Sequence, residues 1–207
     1  MEPANDQTEP FPPPPQFLHG KLLEWDRALS LTPPWHWAIL HMGKRVENRQ
    51  RWKGCSYRGP IWLHAAKGLG LRDEFSETVA GIRRILQVQN DPAGQRVFDA
   101  MAAAGQVVRR EHEWVPGPKL ARGAIVGRAW ISAVIDQNVD NHGLRYLDAV
   151  GPPSHRRLFT EAEQRWWFGG FALWLDRVEV LAEPVICPGA QMIYRVTPEV
   201  AAACLRQ

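Results

Sequence analysis

At 207 residues the chain can form one well-cored domain with insertions but is short for two. Its 45% hydrophobic and 23% charged residues suit a soluble globular protein, and no run approaches the eighteen or so apolar residues of a membrane span, which excludes a helical membrane protein. The net charge of +3 is unevenly spread: from Lys44 to Arg72 eight cations face one anion, Glu47, so the remainder carries about −4, a pattern that suits either a polyanion footprint or a solvated basic face.

Residues 1–16 are proline-rich without apolar periodicity and are predicted to be a flexible tail, leaving 17–207 as a single domain. The N-terminus has no basic head followed by an apolar core, so no secretory signal is expected and the cytoplasm is the default location. Gln16–Arg27 carries Phe17, Leu22, Leu23 and Trp25 but fits no template; an arm or a short helix both suit it. Ala28–Leu31 reads as the first strand. Thr32 can cap a helix whose first turn tolerates Pro33 and Pro34; Trp35, Ile39 and Met42 share one helical face, and Gly43 supplies the stop.

Lys44 to Arg49 then reads as an extended segment, with Lys44 at the turn and Glu47 and Arg49, two apart, on one face. A carboxylate between cations at a helix-to-strand corner can bind a planar polar group or a phosphate. The same residues also describe a solvated surface salt bridge. Pro60–Ala66 alternates Ile61, Leu63 and Ala65 with Trp62, His64 and Ala66, as a strand buried on at least one side does; His64 serves either as a hydrogen-bonding group near a cleft or as a structural histidine.

Helical spacing predicts helices over Arg72–Val88 and Ala93–Ala104, an insertion at about 72–105 with Arg83, Arg84 and Arg96 facing solvent. Arg109–Lys119 reads as a loop. Ala124–Asp136 is a strong strand in which Gly127 marks a bulge or a close backbone approach. Asn138–Glu163 has the composition of a long surface loop. Two paired strands are expected over Trp166–Leu175 and Arg177–Leu181, a last strand within Pro184–Val196, and a terminal helix capped at Thr197 and running through Leu205.

No nucleophile elbow, phosphate loop, HExxH or GxGxxG occurs, and Gly68-Leu69-Gly70 is too short to cradle a phosphate. His36, His41, Cys55 and His64 lack zinc-site spacing, and the three cysteines, Cys55, Cys187 and Cys204, are scattered and predicted to be reduced. No metal or other cofactor is expected.

The run Gly43-Lys44-x-x-Glu47-x-Arg49, preceded by Pro34-Trp35-x-Trp37-Ala38 and followed by Arg58-Gly59-Pro60-Ile61-Trp62-Leu63-His64-Ala65, resembles the ASCH domain family of the PUA-like superfamily. Gly123, Ala124 and Gly127, the Phe168–Trp174 aromatic run and Pro188-Gly189-Ala190-Gln191 extend the likeness along the chain. Met42 stands where the family pattern usually has glycine. The resemblance implies an α+β fold, a mainly β PUA-like barrel with peripheral helices, and a cleft that takes RNA or a nucleotide with a modified base. It makes Lys44, Glu47 and Arg49 the polar floor, with Trp52, Arg58, His64 and Lys67 positioning phosphate or stacking a base. It also places Trp35, Trp52, Trp166, Trp167 and Trp174 around the cleft, to stack a base or to fill the core.

Some family members are amidohydrolases that deacylate a modified cytidine with a lysine, a threonine three positions later and a distant glutamate. Here Lys44 is kept and Glu47 stands at the threonine position, where it can serve as a general base but not as a hydroxyl nucleophile. Others are linked to RNA cleavage, a ribonuclease activity for which Lys44, Glu47 and Arg49 would suffice. The implied partner is therefore RNA or a modified nucleoside, with no membrane association; the oligomeric state stays open.

Overall fold

The main strands and the two long helices follow the apolar periodicity of the sequence. The computed structural model describes residues 17–18, 21–22, 24–49, 57–70, 72–137, 144–147, 161–168 and 171–207. The 1–16 tail, Trp52 and Cys55 lie outside them. Two short strands, β1 (Phe17–Leu18) and β2 (Lys21–Leu22), pair with each other where an arm or short helix was expected. There follow β3 (Arg27–Leu31), α1 (Trp35–His41), β4 (Val46–Arg49) and β5 (Gly59–Ala65). The next elements are α2 (Arg72–Ile85), α3 (Pro92–Ala103), β6 (Val107–Arg110), β7 (Glu113–Pro116) and β8 (Ala124–Gln137). The chain ends with β9 (Leu144–Leu147), α4 (Glu161–Gln164), β10 (Phe171–Ile186), β11 (Ile193–Arg195) and α5 (Pro198–Leu205).

The class is α+β, and its centre is a curled mixed sheet, a half-barrel, in the order β11-β3-β5-β8-β10-β4 with β9 added to the far end of β8. Only β3 and β5 run parallel; the other pairs are antiparallel. Leu29, Leu31, Ile61, Leu63, Ile131, Leu173 and Leu175 line one face and pack against Ile39 of α1. Trp62, Ile125, Cys187 and Cys204 form a second core on the opposite face, where α5 docks. A third core, built by Phe75, Val79, Ile82, Phe98 and Met101 of the helical insertion, packs on Ala38 and Met42 of α1. Helix α1 is thus apolar on two sides because it separates two cores. The close approach expected at Gly127 is real: a Cβ there would lie 2.4 Å from Leu40 Cδ2 and 2.6 Å from the Glu179 carbonyl oxygen.

Several boundaries differ from expectation for physical reasons. The Thr32 hydroxyl does not cap α1, because Pro33-Pro34 form a turn ahead of the helix and Trp35 N donates instead to the Thr32 carbonyl at 3.0 Å. Arg109–Lys119 is not a loop; β6 and β7 form a hairpin that turns at Glu111, whose φ is 52°, with Trp114 packed against the helical core. Arg83 is half-buried, its guanidinium over Phe98 and Trp114, while Arg84 and Arg96 are exposed as expected. The 138–163 stretch holds β9, paired with β8, and the start of α4. Two predicted strands are one, β10, which continues through Ile186 and absorbs its bend as irregularities, one of them around Arg177 at φ 50°. The last strand is accordingly only β11. Thr197 caps α5 as expected, accepting from Val200 N at 3.4 Å.

Candidate functional site

Gly43, at φ 72°, ends the α1 corner and turns the chain so that Lys44 points inward instead of along the surface. Lys44 is 1% exposed, which rules out the solvated salt bridge. A buried ammonium needs acceptors, and Nζ donates to the Val46 carbonyl at 2.5 Å and to Glu47 Oε2 at 2.7 Å, while lying 5.3 Å from the centre of the Trp35 ring. Burial lowers the Lys44 pKa; Glu47 opposes that shift by charge and hydrogen bond, and Arg49 adds to it.

On β4, Glu47 and Arg49 share the inward face, as their spacing requires. Glu47 Oε1 meets Arg49 Nη2 at 3.4 Å, and the same nitrogen donates to the Ser30 carbonyl of β3 at 2.9 Å. Arg49 therefore spans the gap between the β4 edge and β3, the strand next to the opposite edge of the sheet. Its Nε is buried with no hydrogen-bond partner. Next to Lys44 in sequence, the Arg45 guanidinium donates to the Ile39 carbonyl at 2.9 Å and fastens the start of β4 to α1.

Asn48 points to the other side of β4. Its Nδ2 donates to the Trp166 carbonyl at 2.8 Å and its Oδ1 accepts from Phe168 N at 2.9 Å. Phe168 is 55% exposed, with its ring 5.8 Å from that of Trp35. Trp166 and Trp174 fill cores, and Trp167 packs beside Val46, Ala133, Ala172 and Trp174. Of the described tryptophans expected around the cleft, Trp35 is the one placed directly beside the buried ammonium.

His64 faces the opposite side of the sheet, Nδ1 3.1 Å from Ser30 Oγ and Nε2 3.3 Å from the Cys187 carbonyl. Because that carbonyl can only accept, Nε2 carries the proton and Nδ1 accepts from the Ser30 hydroxyl. Burial lowers the His64 pKa, partly countered by the Cys187 carbonyl. Gly189 packs closely against the imidazole: a Cβ there would sit 2.3 Å from His64 Cε1. Arg58 is buried at the start of β5 and donates to the Tyr57 carbonyl at 2.8 Å. Lys67 is exposed past the end of β5, beside Gly123.

Sequence reasoning missed Ser30, Asn48 and Phe168. An asparagine in the middle of a strand was the available signal, since asparagine is depleted there unless its amide has a specific task. Among the described residues no group of His, Cys, Asp and Glu is arranged to hold a metal, and no helix is long and apolar enough to cross a membrane. Cys187 and Cys204 are free and buried; burial raises the pKa of both, Cys204 to about 11.

Fold and site together define an α+β protein whose half-barrel carries a buried Lys44–Glu47 pair joined by half-buried Arg49, with Trp35 and Phe168 nearby. No protein-family model matches the chain, and no curated protein matches it.

Proposed function

We propose that the chain is an ASCH-type, PUA-like module that binds RNA, or a nucleotide with a modified base, through Lys44, Glu47 and Arg49. One observation carries the reading: two cations share one buried carboxylate, so the cluster has a surplus positive charge and an unpartnered Arg49 Nε. A buried donor without a partner costs free energy until an acceptor arrives. The carbonyl edge of a base or a phosphate oxygen supplies that acceptor, and the resemblance of residues 34–65 to ASCH domains points to the same ligand class.

A second reading, an amidohydrolase or ribonuclease of the same family, draws support from the Lys44 and Glu47 pair. An amine whose pKa burial lowers, 2.7 Å from a carboxylate, is a serviceable acid–base couple. Fluorescence anisotropy with labelled single-stranded RNA, from low to high salt, tests the binding reading: affinity is expected to fall steeply. A salt-independent affinity excludes phosphate contacts. Incubation with acylated cytidine and with RNA separates the enzyme, whose turnover must vanish in Lys44→Ala and Glu47→Ala.

A further inference from the structure

We infer that Phe168 and Trp35 form a stacking platform for one unpaired base, and that Asn48 is the positioning residue that holds Phe168 there. The inference rests on the nucleotide reading above and names the ligand as single-stranded.

Strand β4 alternates its side chains, so Glu47 and Arg49 build the floor inside while Asn48 reaches outward to the segment before β10. Asn48 uses both ends of its amide on that segment, accepting from Phe168 N and donating to the Trp166 carbonyl. A large apolar side chain left 55% exposed is ordinary on a loose loop, but here its backbone is pinned. The ring is directed to Trp35, 5.8 Å away with the planes 56° apart, and Trp35 in turn touches the Lys44 ammonium. Phe168, Trp35, Lys44 and Glu47 are therefore successive neighbours from the exposed ring to the buried carboxylate. The tilt leaves the two rings unstacked on each other, and among the described residues the Phe168 ring keeps an exposed surface for a planar partner. A base inside a duplex presents only its edges and cannot reach a floor behind such a rim; a splayed base can.

The test is anisotropy with a labelled single-stranded RNA ten-mer of mixed sequence and with its duplex, on folded variants checked by circular dichroism. Phe168→Leu, which keeps apolar bulk but loses the π-face, is expected to weaken single-strand binding roughly tenfold to a hundredfold, and Phe168→Tyr to preserve it. Asn48→Ala is expected to weaken binding too, and to add little on top of Phe168→Leu, because both remove one platform. The duplex is expected to bind at least tenfold more weakly than the strand. Equal affinity for duplex and strand, or a Phe168→Leu variant that binds like the wild type while Arg49→Ala does not, overturns the platform and leaves the nucleotide reading standing. If the strand fails to bind the wild type, or binds Arg49→Ala unchanged, the RNA reading falls and takes the platform with it.

Discussion

Glu47 is the residue on which the site turns, because it is the counter-charge to both Lys44 and Arg49. Removing one partner of a buried pair leaves the other charged and unsolvated, at a cost of roughly 3–5 kcal/mol. Glu47→Ala should lose stability on that scale in urea unfolding at pH 7, and the loss should shrink as the pH rises towards 10. The sign follows from linkage: burial holds the folded Lys44 pKa below its unfolded value, so the unfolded chain binds more protons and stability increases with pH up to that value. Replacing both partners, as Lys44→Met with Glu47→Leu, should recover most of the stability while abolishing nucleotide binding. A double variant as unstable as Glu47→Ala would show that the loss of the Glu47–Arg49 contact or of the pair itself, and not the orphaned ammonium, sets the cost.

At the level of elements, the α1-to-β4 corner depends on how close the helix can come to the sheet. Gly127 sets that distance, since an added methyl group meets both Leu40 and the backbone of Glu179. Overpacking of this kind costs about 1–3 kcal/mol. Gly127→Ala should therefore lower the unfolding midpoint, and should also weaken nucleotide binding, because moving α1 moves Trp35 and the Arg45 anchor on the Ile39 carbonyl with it. The strands and the two long helices were legible because apolar residues recur at periods of two and about three and a half. The length of β10 was not: its bulge at Arg177 looks in sequence like a turn between two strands, and only its continued pairing with β8 makes it one. The β6–β7 hairpin was equally hidden, since its turn uses Glu111 in a left-handed conformation where a sequence reading looks for glycine or asparagine.

At the level of the whole molecule, what sequence could not supply was which side of the sheet is inside. Glu47 and Arg49 share a face by parity alone, yet whether that face is core or solvent depends on the curl that brings β4 towards β3. The same ambiguity put His64 near the cleft, when the opposite parity buries it beneath Cys187. It also concealed His36, which lies on the α1 face shared with Ile39 and Leu40, turned towards the half-barrel, with both ring nitrogens buried and unpartnered. Burial first, and then the neighbouring His41 and His64, lowers its pKa to about 3. The folded protein therefore keeps His36 neutral where the unfolded chain, with a value near 6.5, protonates it. Above pH 6.5 neither state binds that proton and stability is flat with respect to His36. Below it the unfolded state is favoured by up to roughly 1.4 kcal/mol per pH unit until the folded value near 3 is reached. His41 and His64, both also depressed by burial, add to the loss in the same direction. Denaturation midpoints should thus fall progressively from pH 7 to pH 4, and His36→Leu should flatten that fall while leaving a residual slope from His41 and His64. An unchanged slope in His36→Leu would mean that another group carries the acid sensitivity and that the imidazole under α1 finds a partner in solution.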